Sequence, residues 1–301
     1  MLTGASYPAL PMSSLVLALQ QHSPSAETDD TAYGSLFGEL ADLLLNRTTL
    51  FIADHPCRIT ELELYFHGLG HLDPFTHNDP IQLQLGTWYF HRSGTQYRSG
   101  TYKGLDIAFG SAGAFGGILL RGIEAVAGSG SLIDGPCNLV DHILAITGSP
   151  SIAALVSRLG ATIEDPTRRS PLHLALDAHP RPAQPIYATP RIGLTIKKGN
   201  TPARRRFIAR PYRFLSEPAR IRKGKPHLIT SLHQHGHTPA QIAALTRTRL
   251  AVVQGYLDAF AAGPTTPLES LRGDLSPAQT CQLLGACAGE ANTIGEPGGP
   301  P

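Results

Sequence analysis

Cys57-Arg-Ile-Thr-Glu-Leu-Glu-Leu-Tyr-Phe66 alternates as a half-buried β-strand does. Successive strand side chains point to opposite faces, so Ile59, Glu61, Glu63 and Tyr65 share one face and Leu62 and Leu64 the other. Glu61 and Glu63 therefore project two carboxylates from one surface, and Tyr65 extends the row. Outward from this stretch, residues 48–53, 87–91 and 105–109 read as further short strands, and 116–124 is apolar enough for the middle of a sheet. Residues 191–196 read as a late strand. Helical signal comes from 34–46, where Leu36, Phe37, Leu40, Leu43 and Leu44 form an amphipathic stripe, and again from 138–146 and 152–159. Prolines dominate 165–190, which is expected to be loop.

The pattern predicts a mixed α/β (α+β) fold: one domain at 34–225 with a curved, mostly antiparallel sheet and flanking helices, plus a small C-terminal helical module at 226–262. A flexible lead-in is expected at 1–33. A disordered Gly/Pro-rich tail is expected at 263–301, interrupted by one helix near 277–286. In the module, Thr238 is an N-cap with proline at the first helical position. Ile242 and Val253 face inward across a tight turn, and Arg247, Arg249 and Gln254 face outward. Such a unit is either a DNA-binding helix-turn-helix or a plain three-helix cap.

The 301 residues are 42% hydrophobic, with no apolar run long enough for a membrane span. No Lys or Arg precedes Arg47, which argues against a secretory or transit segment. Four cysteines without Cys-x-x-Cys spacing read as reduced thiols, and a cytoplasmic monomer, nucleoid-associated when bound to DNA, is expected. The net charge is +2, but residues 191–225 hold 12 of the 25 Lys and Arg against a single acid, Glu217. Such a segment either faces a polyanion or is a solvated basic loop.

Downstream of Tyr65, residues 66–80 place His67, His71 and His77 with two aspartates in a Gly/Pro-shaped loop. Trp88, Tyr89, Phe90, His91, Tyr97 and Tyr102 follow, interleaved with Arg92 and Arg98. Aromatics among cations suit base stacking beside a phosphate backbone, although such clusters also build cores. The histidines lack the spacing of a zinc motif, so neither metal nor cofactor is expected. No serine-hydrolase elbow, P-loop or dinucleotide fingerprint is present.

Taken in order, several short motifs resemble the alkyladenine (3-methyladenine) DNA glycosylases. Arg58-Ile-Thr-Glu-Leu-Glu-Leu-Tyr65 is similar to that family's glutamate-bearing strand, and His77 falls at the spacing of its pocket histidine. Gly117-Ile-Leu-Leu-Arg-Gly-Ile-Glu124, Leu132-Ile-Asp-Gly-Pro-Cys-Asn-Leu139, Arg191-Ile-Gly-Leu194 and Pro211-Tyr-Arg-Phe214 echo later motifs. The resemblance implies hydrolysis of the N-glycosidic bond of a damaged purine flipped out of duplex DNA. Glu63 would be the water-activating base and Arg121 its orienting partner. Tyr65 and His77 would sandwich the base, with Tyr97 or Tyr102 completing the pocket. Asp106 stands where the family has a base-screening Asn. Phosphate contacts are expected from Arg98, Lys197, Lys198, Arg204, Arg205 and Arg206. The family's aromatic-rich stretch, which carries the duplex wedge, is replaced here by 94–104. A DNA-binding protein without excision activity, or an N-glycosidase for another nucleoside or RNA, is the alternative.

Overall fold

The alternating stretch lies inside a 14-residue strand that pairs with four others. The computed structural model describes residues 15–25, 28–68, 70–126, 130–179 and 181–290. Its strands are β1 (Thr48–Ile52), β2 (His55–Gly68), β3 (His71–Leu72), β4 (Thr87–Phe90), β5 (Arg92–Ser93), β6 (Gln96–Tyr97), β7 (Leu105–Ala108), β8 (Phe115–Ala125), β9 (Leu132–Asp134), β10 (Leu172–Leu176), β11 (Tyr187–Thr189) and β12 (Arg213–Leu215). Its α-helices are α1 (Leu15–Gln21), α2 (Tyr33–Asn46), α3 (Pro136–Ile146), α4 (Ile152–Val156), α5 (Pro202–Ala209), α6 (Lys225–Gln234), α7 (Pro239–Thr246), α8 (Leu250–Ala262) and α9 (Pro277–Cys287).

The fold is mixed α/β, built on an open sheet ordered β10-β1-β2-β8-β7-β4 with antiparallel neighbours throughout. Along one edge of β2, β12 takes over where β1 ends; along the far edge of β8, β9 and β7 divide the length. One face of the sheet is the core. Leu62, Leu64, Phe66, Phe90, Leu105, Ile107, Ile118 and Leu120 meet Phe37, Leu40 and Leu44 of α2, all almost fully buried. At about 25 cal/mol per Å² of apolar surface, burial on this scale is the main force holding the sheet against its helices.

The alternation breaks at one place. The register slips by one at Glu61 and returns at Leu62, so that Thr60 on β2 and Arg121 on β8 each fall outside the paired ladder. Across this slip Ile59 joins the core with Leu62 and Leu64 rather than lining up with Glu61 and Glu63 as the plain period suggests. Gly122 lies opposite, where a Cβ would stand 2.7 Å from Thr60 Oγ1. The slip and the glycine belong together.

Other expectations need correcting. The proline-rich stretch 165–190 holds β10 and β11, because Leu172 and Leu174 alternate inward and the flanking prolines lie outside the ladder. Residues 191–196 are not a strand: Gly193 has φ +82°, and the Ile192 amide leaves the ladder for a carboxylate described below. The lead-in contributes to the core through Leu15 and Leu19 of α1, both fully buried. Residues 263–290 are folded rather than disordered. Leu271, Leu283, Leu284 and Cys287 make a second core with Ile196 and Ile208. Composition hid this, because glycine there serves close packing: a Cβ on Gly285 would stand 2.0 Å from the Phe260 carbonyl oxygen. Residues 1–14 and 291–301 lie outside the described residues.

The helical module matches its sequence signals. Thr238 caps α7 in a reciprocal capping box with Gln241, Arg247 turns the chain at φ +49°, and Ile242 and Val253 are fully buried. No described helix is long and apolar enough to cross a membrane.

Candidate functional site

The second face of the sheet carries polar chemistry. Cross-strand partners share a face, and the register places Tyr89 (β4), Asp106 (β7), Leu119 (β8), Glu63 (β2) and Arg213 (β12) in one row across five strands. Leu119 is half-buried, between the more deeply buried Glu63 and Asp106. The next row pairs Tyr65 with Gly117. A Cβ on Gly117 would lie 2.2 Å from the Tyr65 hydroxyl and ring, so the glycine is what lets that ring lie flat across β8.

At the Arg213 end two glutamates meet two arginines. Glu61 Oε1 accepts from Arg121 Nε and from Arg213 Nε, both at 2.7 Å. Glu63 Oε2 lies 3.4 Å from Arg121 Nη1, and its Oε1 accepts from the Ile192 amide at 2.8 Å. The four charges cancel, as buried ions must. Burial alone would raise the Glu61 carboxyl, but Arg213 and Arg121 outweigh it and hold it below the ordinary carboxylate range. The buried pair of Arg191 and Asp73, at 2.8 Å, fixes the loop that presents Ile192 to Glu63.

At the other end of the row the rings gather. Asp106, fully buried, accepts from the Tyr65 hydroxyl on Oδ2 and pairs with His91 Nε2 at 2.9 Å on Oδ1. Gln82 Nε2 donates to the same tyrosine hydroxyl at 2.5 Å. Burial and the neighbouring Asp106 raise the Tyr65 phenol well above its usual value. The rings of Tyr65 and His77 are 6.1 Å apart and tilted by 52°. His77 stands edge-on to His91 at 4.4 Å, with the Tyr89 hydroxyl 3.4 Å from its Nδ1. Although the residue is exposed overall, desolvation of its ring, reinforced by His91 and partly offset by Asp106, lowers its pKa to about 4. Imidazole is therefore neutral there at pH 7.

The structure brings together Glu63, Tyr65, His77, Asp106 and Arg121. It separates the others. Tyr97 packs edge-on against Phe90, on the core side of the sheet, and so does not reach the rings. Tyr102 stands at a loop tip, 72% exposed. Arg98 is half-buried and close enough to act on the His77 ring. Of the basic segment, Lys198 is exposed and Lys197 pairs with Asp274 at 2.9 Å. The three consecutive arginines turn inward. Arg204 lies over the Phe75 ring at 4.3 Å, Arg205 binds Glu290 at 2.6 Å, and Arg206 pairs with Asp30. Glu290 and Asp30 are far along the chain, which is why sequence read the cluster as free charge.

Sequence reasoning missed the site roles of Tyr89, His91, Gln82 and Arg213. For His91 a signal existed: Gly104, whose Cβ would lie 2.5 Å from the His91 ring, leaves room for it. Of the loop histidines, His71 is a core residue bonded to the Phe66 carbonyl and the Tyr212 hydroxyl, and His67 Nδ1 lies 3.0 Å from the Asp73 carbonyl oxygen. A cavity of about 460 Å³ lies at the far end of β2 and β8, beside Arg58 and Glu124. These two pair with each other at 2.5 Å, and Arg58 also pairs with Glu217, so their charges are already spent internally.

Fold and site together define a mixed α/β protein whose polar sheet face joins an arginine-paired carboxylate to a cluster of rings. No protein-family model matches the chain. Over 206 residues it is 31% identical to the protein named "Uncharacterized protein L759" of Acanthamoeba polyphaga mimivirus, a match covering 64% of this chain and 91% of the viral one. The chain belongs to the same family as that viral protein.

Proposed function

We propose that the protein is a monofunctional DNA glycosylase that takes an alkylated or deaminated purine out of the duplex and hydrolyses its N-glycosidic bond. The observation that carries this reading is the row in which Glu63 and Asp106 flank the half-buried Leu119, with the Tyr65 and His77 rings beside it.

Each part has a task in that chemistry. A flipped base lies over Leu119 and Gly117, against the Tyr65 ring. Stacking it between Tyr65 and His77 requires the two rings to part by about 1 Å and turn parallel. His77 is the ring able to do so, being exposed and followed by Asn78 at φ +54°. Asp106, fixed by Tyr65 and His91, faces the edge of the base and favours one that donates hydrogen bonds or carries positive charge. Glu63, two strands and hence about 10 Å away, is placed for the sugar rather than the base. There a carboxylate both activates water and stabilises the positive charge that develops on the sugar as the bond breaks. Arg121 and the Ile192 amide hold it in place. A purine alkylated at N3 or N7 is already cationic and leaves without acid assistance, whereas a neutral one such as hypoxanthine takes a proton from solvent as it leaves.

The test is single-turnover excision on duplexes carrying hypoxanthine, 1,N6-ethenoadenine or 3-methyladenine, with the wild type beside Glu63→Gln. Base release by the wild type, lost in Glu63→Gln while lesion binding is kept, is the expected result. No release from any duplex with binding intact would move the assignment to a non-excising DNA-binding protein. Release from free nucleosides or RNA alone would move it to another N-glycosidase.

A further inference from the structure

The geometry points to a divalent transition-metal site formed by His77, His91 and Asp106. Among the described residues these three offer ligand atoms that all lie within 4.8 Å of one another. Two imidazoles and one carboxylate are the donor set that zinc and iron(II) take with coordination positions left open.

The arrangement is already part-built. Ligands bound to one ion at about 2.1 Å and at right angles stand about 3 Å apart, and His91 Nε2 lies 2.9 Å from Asp106 Oδ1. An ion at that edge replaces the shared proton. Asp106 is fully buried, and its second oxygen is occupied by the Tyr65 hydroxyl, so Oδ1 faces the edge in a fixed orientation. The His91 ring is set by its contact with Gly104 and by the bond from its own amide to the Gly104 carbonyl at 2.9 Å. His77 has to close by about 1.5 Å, and it is the exposed member of the three. The Tyr89 hydroxyl at its Nδ1 supplies the outer partner that orients a ligating imidazole.

The metal proposal does not rest on the glycosidic reading, because Glu63 takes no part in it. The site does share His77 and Asp106 with the base position proposed above. An ion there ties His77 to Asp106 and closes the gap a base would enter, so metal occupancy and base stacking exclude each other.

The experiment is titration of chelator-treated protein with Co²⁺, read by visible absorption, and with Zn²⁺, read by calorimetry. The expected result is one equivalent bound, with affinity reduced about tenfold or more in His77→Ala and in His91→Ala. His77 is exposed, so its variant keeps the fold even if His91→Ala does not. A His233→Ala/His235→Ala double variant, which removes the exposed histidines of α6 and its cap, retains full affinity. Absence of saturable binding, or binding that survives His77→Ala unchanged, would overturn the assignment. Neither readout depends on excision activity, so the metal site and the glycosylase reading can fail separately.

Discussion

Glu61 and Glu63 are two residues apart on one face of one strand, yet their surroundings set them different tasks. Glu61 takes both of its short charge-assisted bonds on a single oxygen from two buried guanidiniums, whereas Glu63 meets Arg121 at 3.4 Å and an amide at 2.8 Å. Removing the Glu61 charge strands Arg213, which is fully buried. Glu61→Gln is therefore expected to cost about 3–5 kcal/mol of folding stability. In Glu63→Gln the new amide oxygen still accepts from Ile192, and the loss stays below about 2 kcal/mol. Urea unfolding of the two variants checks this, and equal losses would show that the two carboxylates are not divided in this way. Acid acts on the same scale. Burial lowers His71 and His227 to about 3, against about 6.5 in an unfolded chain. Between these values the unfolded chain binds the extra protons, so stability rises with pH across that window and falls on acidification. Each imidazole removes about 2 kcal/mol between pH 7 and pH 5, and unfolding free energies at the two values should show the sum. Glu61 adds its loss only lower, because its folded carboxyl titrates below the unfolded one.

At the scale of elements, the C-terminal helices show where a sequence misleads. Residues 263–290 read as tail because glycine and proline are frequent there, yet Gly263 and Gly285 are the points where the end of α8 meets α9. A Cβ on Gly263 would stand 2.4 Å from the Gln282 carbonyl oxygen, and one on Gly285 2.0 Å from that of Phe260. Gly285→Ala should force these backbones apart and cost about 1–3 kcal/mol, the usual penalty of overpacking. A lowered unfolding midpoint checks it; a variant as stable as the wild type would mean that α8 and α9 are not in contact in solution. Elements with strong local signals were legible: the stripe of α2, the capping box of α7 and the alternation of β2. So was the row of Glu63 and Tyr65, which strand periodicity places on one face, while Asp106 and Arg121 were joined to it only by the resemblance in motif order. What periodicity misses is the register slip at Glu61, across which Ile59 faces the core, and a strand such as β10 flanked by prolines. Gln82 and His91 entered the site through loop closures spanning 17 and 15 residues, which no local pattern encodes.

At the scale of the whole molecule the question is where the positive charge goes. Of the 12 Lys and Arg at 191–225, nine engage their side-chain charge within the protein. Among the described residues this leaves Lys198, Arg222 and Lys223, all exposed. The consecutive arginines are fastenings: Arg206 and Arg210 grip Asp30 ahead of α2, Arg204 covers Phe75 after β3, and Arg205 holds Glu290 beyond α9. They tie the segment ahead of α2, the loop after β3 and the end of the described residues to α5 and its C-terminal cap. If the proposed DNA complex forms, its dependence on salt reports only the cations that reach phosphate, since each one that does so releases bound counterions. Lys198→Ala and Arg222→Ala should each lower the slope of log affinity against log salt by about 1. Arg205→Ala should leave the slope unchanged and act through stability, by no more than about 1 kcal/mol for a partly exposed pair. Affinities of the three variants for one duplex, measured between 50 and about 200 mM salt, separate the two roles. A slope reduced by Arg205→Ala but not by Lys198→Ala would mean that the arginine releases Glu290 to bind phosphate, and that the fastening gives way when DNA arrives.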